Sequence, residues 1–271
     1  MNLLLCPVCG APLNQEPKRY LCGGGHSFDR ARQGYVNLLQ SQRSSQRHHG
    51  DDTEMVTARR EFLEQGYYEP LRRLLKEKVY FYTAKNGVIV DAGCGEGWYT
   101  EGVAAQLPAA TVIGFDISKE ALKWAAKRQG LDHLAVASCY RMPLADGAAD
   151  AVLNFFSPLA AEEYGRVLKK GGHLFRAVPG DYHLWELKQA VYETPKPNRP
   201  ETEELAGLEL VERCPIQSEI TLKNNREIIS LFQMTPYYYR TSPQDKAKLE
   251  HYETLTTRTE FTLLIYKKRC F

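Results

Sequence analysis

Residues 88–97 constrain the fold more than any other part of the chain, because a strand pattern leads there directly into a glycine-rich turn. Residues 88–90 form an unbroken run of β-branched side chains, which predicts a parallel strand covered on both faces. Glycines then occupy three alternate positions, Gly93, Gly95 and Gly97. Because glycine permits positive φ and lets a ligand approach backbone amides closely, the stretch predicts a turn at which a nucleoside cofactor docks. The alternative for each glycine alone is an ordinary tight turn.

A second signal lies one strand further along the chain. Asp116 ends the apolar strand predicted over 111–116, where a carboxylate can accept both hydroxyls of a bound ribose. The spacing D-x-G-x-G-x-G that begins at Asp91 differs from the dinucleotide pattern G-x-G-x-x-G. Together with the strands and helices that follow, it resembles the first motif of class I S-adenosylmethionine-dependent methyltransferases.

The first 26 residues carry a metal-binding pattern. Cys6 and Cys9 are separated by two residues, twelve residues follow, and Cys22 and His26 are separated by three. This is a typical spacing of zinc ligands. Four protein ligands leave no position open for water, so the predicted zinc is structural. The remaining cysteines are scattered and are interpreted as small packing residues: Cys94, Cys139, Cys214 and Cys270.

Charge is unevenly distributed along the chain. The 271 residues have a net charge of +2, but residues 1–50 contain six Lys and Arg against two acidic residues, which leaves −2 for the remainder. A concentrated positive field attracts phosphate, although a solvated surface with no partner is an equal alternative. No apolar run approaches the roughly 20 residues that cross a bilayer. The sequence therefore predicts a cytoplasmic protein with no membrane partner.

The chain divides into a zinc-binding module over 1–40, a polar linker over 41–52 and a methyltransferase domain over 53–271. Alternating strand and helix patterns in the last part predict a doubly wound, mostly parallel sheet. The predicted fold class is α/β, a class I (Rossmann-like) methyltransferase with a small N-terminal zinc-binding module. The predicted elements are strands 87–92, 111–116, 134–137, 149–155, 172–178, 208–222 and 258–267, and helices 98–107, 119–128, 159–168, 182–193 and 225–234.

Further motifs connect the zinc pattern to the glycine turn: Gly34-Tyr35-Val36-Asn37-Leu38-Leu39, Gly50-Asp51, Ala58-Arg59-Arg60, Gly66-Tyr67-Tyr68, Pro179-Gly180, His183-Leu184 and Gln233-Met234-Thr235-Pro236. Over essentially the whole chain, this set resembles the bacterial 23S ribosomal RNA guanine-N1 methyltransferases. The resemblance implies methyl transfer from S-adenosylmethionine to N1 of a guanine in a hairpin of 23S rRNA, by a homodimer that carries structural zinc. One branch of that family is associated with resistance to macrolides.

The resemblance also implies which residues bind. It assigns zinc to Cys6, Cys9, Cys22 and His26. It assigns the cofactor to the turn at Gly93, Gly95 and Gly97, within the motif that Asp91 opens, with Tyr99 and Thr100 at the helix start. Tyr68 and His183 match family positions that reach the cofactor. The general class I pattern adds Asp116 as the ribose ligand. The usual acidic residue after the third strand is absent, so Ser138 is the candidate for adenine recognition.

Methyl transfer is an in-line displacement that depends mainly on alignment, although guanine N1 must also lose a proton. His183 is a candidate base for that proton, or it positions the cofactor. Asn154 either holds the edge of the base or caps its strand. Because N1 lies on the pairing edge, the base must be unpaired or extruded. Aromatic side chains can then stack on it, with Trp98, Tyr99 and residues 237–239 as candidates, although ordinary packing is the favoured interpretation of residues 237–239.

Two other functions remain open from the sequence. A small-molecule methyltransferase acting on a quinone-like acceptor would share the same core motifs, but the basic zinc module argues against it. A non-catalytic RNA-binding assembly factor would keep the fold, but the intact turn with Asp91 and Asp116 argues for cofactor binding. The favoured hypothesis is that the zinc module and the linker hold RNA while the large domain transfers the methyl group.

Overall fold

The protein is described here from a computed structural model that covers residues 3–40, 53–199 and 201–269. The predicted linker 41–52 lies outside the described residues, and so do Arg43 and Arg47 within it. The strands are β1 (Leu13–Gln15), β2 (Arg19–Cys22), β3 (Ser27–Asp29), β4 (Val36–Asn37), β5 (Val88–Ala92), β6 (Thr111–Asp116), β7 (His133–Val136), β8 (Ala149–Phe155), β9 (Leu168–Pro179), β10 (Leu208–Leu222) and β11 (Leu255–Lys268). The α-helices are α1 (Thr53–Glu64), α2 (Glu69–Tyr82), α3 (Trp98–Gln106), α4 (Lys119–Ala125), α5 (Ala161–Val167), α6 (Trp185–Val191), α7 (Asn225–Gln233) and α8 (Pro243–Ala247).

The central sheet has eight strands in the order β10-β11-β9-β8-β5-β6-β7-β4. Pairing is parallel from β4 through β9, and β11 pairs antiparallel with both β9 and β10. The strand order reverses around β5, which has β6 on one side and β8 on the other. In open parallel sheets, ligands bind outside the carboxyl ends of the strands at such a reversal. The predicted fold class is therefore confirmed, and the sheet presents its ligand-binding edge where β5 meets Gly93.

The first 40 residues pack into the large domain. β1, β2 and β3 form a separate three-stranded sheet, whereas β4 extends the central sheet beside β7. Leu4, Tyr20 and Val36 belong to the same buried cluster as Ile113 and Phe115 of β6. The predicted boundary at residue 40 therefore separates the two parts only along the chain. In the structure, residues from both sides of the boundary share one hydrophobic core.

The two faces of the sheet are buried by different elements. Ile89 and Val112 belong to the core cluster that includes residues of α2, α3, α6 and α7, whereas Val90 and Ile113 belong to the one shared with the zinc-binding module. Because successive side chains of a strand point to opposite faces, the continuous apolar pattern of β5 satisfies both cores.

Most predicted elements are present with small shifts at their ends. The strands 111–116, 149–155 and 208–222 agree with β6, β8 and β10 residue for residue. The helix predicted over 182–193 begins only at Trp185, because Leu184 has a φ of 57° and a turn precedes it. Among the described residues, no helix combines the length and the apolar composition needed to cross a bilayer.

Candidate cofactor site and metal centre

The glycine turn begins where β5 ends. Its three glycines have left-handed φ values, which are 101° at Gly93, 55° at Gly95 and 83° at Gly97. The amides of Gly93 and Cys94 donate to the carbonyl of Phe115, at 2.8 and 2.9 Å. The turn is thereby fastened to the end of the neighbouring strand β6.

The three glycines are needed for different reasons. A Cβ at Gly93 would lie 2.4 Å from Cβ of Ser157, so this position is filled by protein. A Cβ at Gly97 would lie 3.2 Å from Cγ of Arg128. At Gly95 the nearest atom is Nη1 of Arg59, at 4.0 Å. Gly95 therefore has the most open face of the three glycines, although the residue as a whole is buried.

Asp116 lies beside this open face. Its Oδ2 accepts a hydrogen bond from the amide of Gly95 at 2.8 Å, and its Oδ1 accepts one from the amide of Ser118 at 2.7 Å. The carboxylate is thus fixed in orientation by the backbone on both sides. Each carboxylate oxygen can accept a second hydrogen bond, so the arrangement fits the predicted contact with ribose hydroxyls.

Asp91 lies beneath the turn and is almost fully buried. Its Oδ2 accepts a 2.6 Å hydrogen bond from Thr100, whereas its Oδ1 has no partner among the described residues. Burial raises the pKa of Asp91 to about 7, although the Thr100 hydrogen bond favours the ionised form. Two carboxyl groups, Asp91 and Asp116, therefore lie at the turn, which suits a cationic ligand.

A wall of rings borders the turn. Tyr68 packs edge-on against Phe261 with 4.9 Å between ring centroids, and its hydroxyl lies 3.4 Å from Nε2 of His183. Tyr99 packs against Phe155 at 5.0 Å. The structure thus brings Tyr68, Tyr99 and His183, which the sequence places far apart, to one side of the glycine turn.

Both ring nitrogens of His183 have protein partners. Nδ1 accepts a hydrogen bond from the amide of Glu260 at 3.1 Å, so the proton of the neutral ring is on Nε2, facing Tyr68. Burial, with a smaller contribution from the charge of Lys188, lowers the pKa of His183 to about 3. With no lone pair directed at a substrate, His183 is poorly arranged as a general base. The geometry favours the alternative, a positioning residue at the cofactor site.

Asn154 is also occupied within the protein. It is buried at the end of β8, and its Nδ2 donates to Oγ of Ser157 at 2.7 Å and to the carbonyl of Ser157 at 3.1 Å. The same group lies 3.3 Å from the carbonyl of Pro158. The structure therefore favours the capping interpretation over contact with the base edge.

Ser138 follows the end of β7, at the same edge of the sheet as Asp116. The amide of Ala137 donates to the carbonyl of Asp116 at 3.1 Å, which holds the two strand ends together. The Ser138 hydroxyl accepts from the amide of Tyr140 at 3.2 Å. This position is consistent with the predicted role near adenine, which stays a prediction.

Sequence reasoning did not assign a role to Arg59. The guanidinium lies near Gly95, and its positive charge lowers the pKa values of Tyr68 and Tyr99 against the larger effect of their burial. Helix α1 therefore brings a cation close to Gly95, whose amide donates to Asp116. The signal in the sequence was the pair Arg59-Arg60, but which of the two faces the turn depends on helix packing.

The metal ligands converge as predicted. The ligand atoms of Cys6, Cys9, Cys22 and His26 all lie within 4.8 Å of one another. The two sulfurs of Cys9 and Cys22 are 3.7 Å apart, and Nδ1 of His26 is 3.4 Å from Sγ of Cys22. With zinc–sulfur bonds of about 2.3 Å, the sulfurs of a tetrahedral site lie about 3.8 Å apart, so the geometry fits zinc.

The local electrostatics also suit a metal. Burial would raise the pKa of the Cys22 thiol, but its hydrogen bonds with His26 and Cys9 lower the pKa to about 6. A low thiol pKa favours the thiolate that coordinates zinc. Gly24 leaves room for the centre, since a Cβ there would lie within 3.7 Å of three ligand atoms. The four donors form a closed structural site.

The fold and the two sites define a class I methyltransferase with an N-terminal zinc ribbon, and comparisons with known proteins agree. Residues 4–47 match the zinc-ribbon family described as "RlmA, N-terminal", and residues 90–176 match the family described as "Methyltransferase domain".

A 23S rRNA (guanine(748)-N1)-methyltransferase from Streptomyces fradiae is 38% identical over 70% of this chain and 68% of its own. A protein from Micromonospora griseorubida is 38% identical over 68% of each chain, and one from Bacillus subtilis is 30% identical over 92% of this chain and 90% of its own. The last two carry a provisional assignment as 23S rRNA guanine-N1 methyltransferases. The chain belongs to the family of 23S rRNA (guanine-N1)-methyltransferases.

We expect one zinc ion per chain and a loss of stability when a ligand is removed. Zinc binding is worth about 10 kcal/mol or more in small modules, which is comparable to the stability of a whole domain. Because Cys6 and Cys22 belong to the core shared with β6, Cys22→Ser should lower the melting temperature of the entire chain. Metal analysis and calorimetry measure both effects.

The control is Cys139→Ser, which changes a half-buried cysteine outside the cluster. Full zinc content in Cys22→Ser would contradict the assignment.

His183 should make unfolding depend on pH. Its folded-state pKa of about 3 lies below the ordinary value of 6.5, so the unfolded chain takes up the proton first as the pH falls. The stability that the neutral ring contributes is fully present above pH 6.5 and is lost as the pH falls toward 3. Between pH 7.5 and 5, wild type should therefore lose more unfolding free energy than His183→Asn, as measured by urea titration.

The same variant tests whether His183 is the base. General base catalysis contributes about 10²- to 10⁴-fold, so if His183 removed the N1 proton, His183→Asn would lower the single-turnover rate at saturating S-adenosylmethionine by at least about 100-fold. We expect that rate to fall by less than about 10-fold and the affinity for S-adenosylmethionine to weaken, as a positioning role requires.

Proposed function

We propose that this protein transfers a methyl group from S-adenosylmethionine to N1 of a guanine in a hairpin of 23S rRNA. The observation that carries the proposal is the glycine turn, because the Gly95 amide donates to the carboxylate of Asp116 and the guanidinium of Arg59 lies 4.0 Å from the position of a Cβ on the same residue. Membership of the family supports the ribosomal substrate and the atom that is modified.

The charges at the turn match the two ends of the cofactor. Asp116 would accept the ribose hydroxyls, and Ser138 would lie on the adenine side. Arg59 would pair with the carboxylate of the methionine part, while Tyr68, Tyr99 and residues around them enclose the space next to the reacting carbon. Burial leaves Asp91 only partly ionised near neutral pH, with its pKa at about 7, and a cationic sulfonium beside it would favour the ionised form.

The chemistry asks mainly for alignment. When bound, S-adenosylmethionine supplies a methyl group on a positively charged sulfur, and the neutral thioether is a good leaving group. The chain would contribute by fixing Asp116 and Arg59 before binding and by excluding water with the buried rings of Tyr68 and Phe261. Since Nδ1 of His183 already accepts from Glu260 and the amide of Asn154 is not a base, the N1 proton is proposed to leave to solvent.

RNA binding is proposed for the zinc-binding module. Lys18, Arg19 and Arg32 are exposed there, although Arg19 pairs with Glu16 at 2.7 Å. The predicted linker adds two further cations to the sequence, Arg43 and Arg47. The proposal also includes the homodimer that the family resemblance implies and a cytoplasmic location, where ribosomal RNA is found.

A methyltransferase for a small, quinone-like acceptor is not favoured. Such an acceptor would not need the basic zinc-binding module, whose apolar residues share a core with the large domain. A non-catalytic assembly factor would have no need for the oriented carboxylate of Asp116.

The proposed function is tested with the purified protein, unmodified 23S rRNA and S-adenosylmethionine labelled on its methyl group. We expect label in RNA as N1-methylguanosine, and a stop of reverse transcription at that site, because N1 lies on the pairing edge. Asp116→Ala should abolish methyl transfer, because it weakens the binding of the cofactor. Label found in a metabolite extract but not in RNA would refute the proposal.

Arg59→Gln should weaken the binding of S-adenosylmethionine. A hydrogen bond to a charged group contributes about 1.5–3 kcal/mol, so the dissociation constant should rise roughly 10- to 100-fold, as measured by titration calorimetry.

The matched control is Arg60→Gln, because Arg60 stacks on Trp124 at 4.1 Å. It should leave the affinity nearly unchanged. An analogue of the cofactor that lacks the carboxylate should bind wild type and Arg59→Gln equally. If the analogue bound wild type clearly more tightly than Arg59→Gln, Arg59 would not act through the carboxylate of the cofactor.

A further inference from the structure

Phe156 is an exposed ring next to the glycine turn. Its residue is 45% exposed, whereas the preceding Phe155 is only 6% exposed. Its ring centroid lies 6.4 Å from that of Tyr68, 6.1 Å from that of Tyr99 and 5.5 Å from that of Phe261. The ring therefore extends the aromatic wall of the cofactor site outward to solvent.

The backbone of Phe156 is in a conformation that residues other than glycine rarely adopt. Its φ is 56°, and the other such residue among the described ranges is Leu184 at 57°. Leu184 is buried in the core, which accounts for its conformation. Phe156 instead points an apolar ring outward, so core packing does not explain it. Strain of this kind costs free energy and concentrates at functional sites.

The residues around Phe156 hold this conformation in place. Ser157 donates from Oγ to the carbonyl of Ala92 at 2.6 Å and fills the space beneath Gly93. Asn154 donates to both oxygens of Ser157. The loop after β8 is thereby held against the glycine turn, so the backbone that carries Phe156 is fixed beside it.

Of the rings predicted to stack on the base, Tyr99 belongs to the aromatic wall itself, the exposed Tyr239 packs against Tyr238 at 5.2 Å, and the other three are less suitable. Trp98 is buried, and Arg72 covers it at 4.4 Å. Tyr237 and Tyr238 pack against Phe232, at 5.9 and 5.5 Å. None of these three offers an open face at the turn.

We propose that Phe156 forms the binding subsite for the extruded guanine, which stacks on its ring with N1 directed at the reacting methyl group. This inference rests on the proposed function. In the step that it supports, the lone pair of N1 forms the new bond to carbon, sulfur keeps the electron pair of the broken bond, and the N1 proton passes to water. Stacking positions the base and tolerates rotation about the ring normal, so the wall formed by Tyr68 and Tyr99 would set the final alignment.

The test compares Phe156→Tyr, Phe156→Leu and Phe156→Gly in the full-length protein. Leucine keeps apolar volume without an aromatic face, and glycine relieves the φ of 56°. We expect single-turnover methyl transfer to fall roughly 10- to 100-fold in the leucine and glycine variants, the range of a lost base–aromatic contact. The tyrosine variant should retain most of the rate. Phe81→Leu, at a 76% exposed position on α2, is the control.

Two readouts separate stacking from damage to the fold. Affinity for S-adenosylmethionine should stay within about twofold of wild type in every Phe156 variant, and Phe156→Gly should melt no lower than wild type. With 2-aminopurine at the guanine mapped in wild type, stacking should quench fluorescence in wild type and Phe156→Tyr but not in Phe156→Leu.

The outcomes distinguish the two proposals. If wild type methylates guanine N1 and Phe156→Leu matches its rate and its quenching, the subsite is overturned and the proposed function stands. If wild type transfers no methyl group to guanine N1 of 23S rRNA, the proposed function fails and the subsite fails with it.

Discussion

The carboxylate of Asp116 joins the ends of two neighbouring strands, and the candidate site depends on this contact. One oxygen accepts from Gly95 after β5, and the other accepts from Ser118 at the start of α4. The carbonyl of Phe115 accepts from two further amides of the turn. These hydrogen bonds convert a run of conformationally free glycines into a fixed cradle, so little reorganisation is needed when a ligand binds.

A second set of contacts fixes the turn from the opposite side. Ser157 fills the space beneath Gly93 and bonds to Ala92, while Arg128 pairs with the buried Glu96. The turn is therefore connected to β6, to the loop after β8 and to the segment after α4. This explains why side chains from distant parts of the sequence meet at one edge of the sheet.

The sequence was sufficient to predict the sheet, because β-branched runs such as residues 88–90 and 111–113 alternate with helical patterns over a long stretch. The ligand types and the motif spacing likewise identified the cysteines of the metal centre, Gly95 and Asp116. Strand β4 could not be found this way, since two residues have no measurable periodicity and their pairing with β7 depends on tertiary packing. The roles of His183 and Asn154 also stayed open in the sequence, because each depends on a partner that no spacing reveals, the Glu260 amide for one and the Ser157 loop for the other. Phe156 was overlooked for a related reason, since neither its exposure nor its backbone angle is encoded in its residue type.

The position of β4 affects whether the central sheet can pair with strands of other proteins. Two residues from the metal-binding end cover part of the outer side of β7, whose backbone groups would otherwise form an open sheet edge. Open edges invite pairing with strands of other molecules, and very short edge strands are one way in which natural sheets limit it. The zinc ribbon thus acts as a cover for the sheet as well as a basic surface, so a shortened chain without it would be prone to self-association.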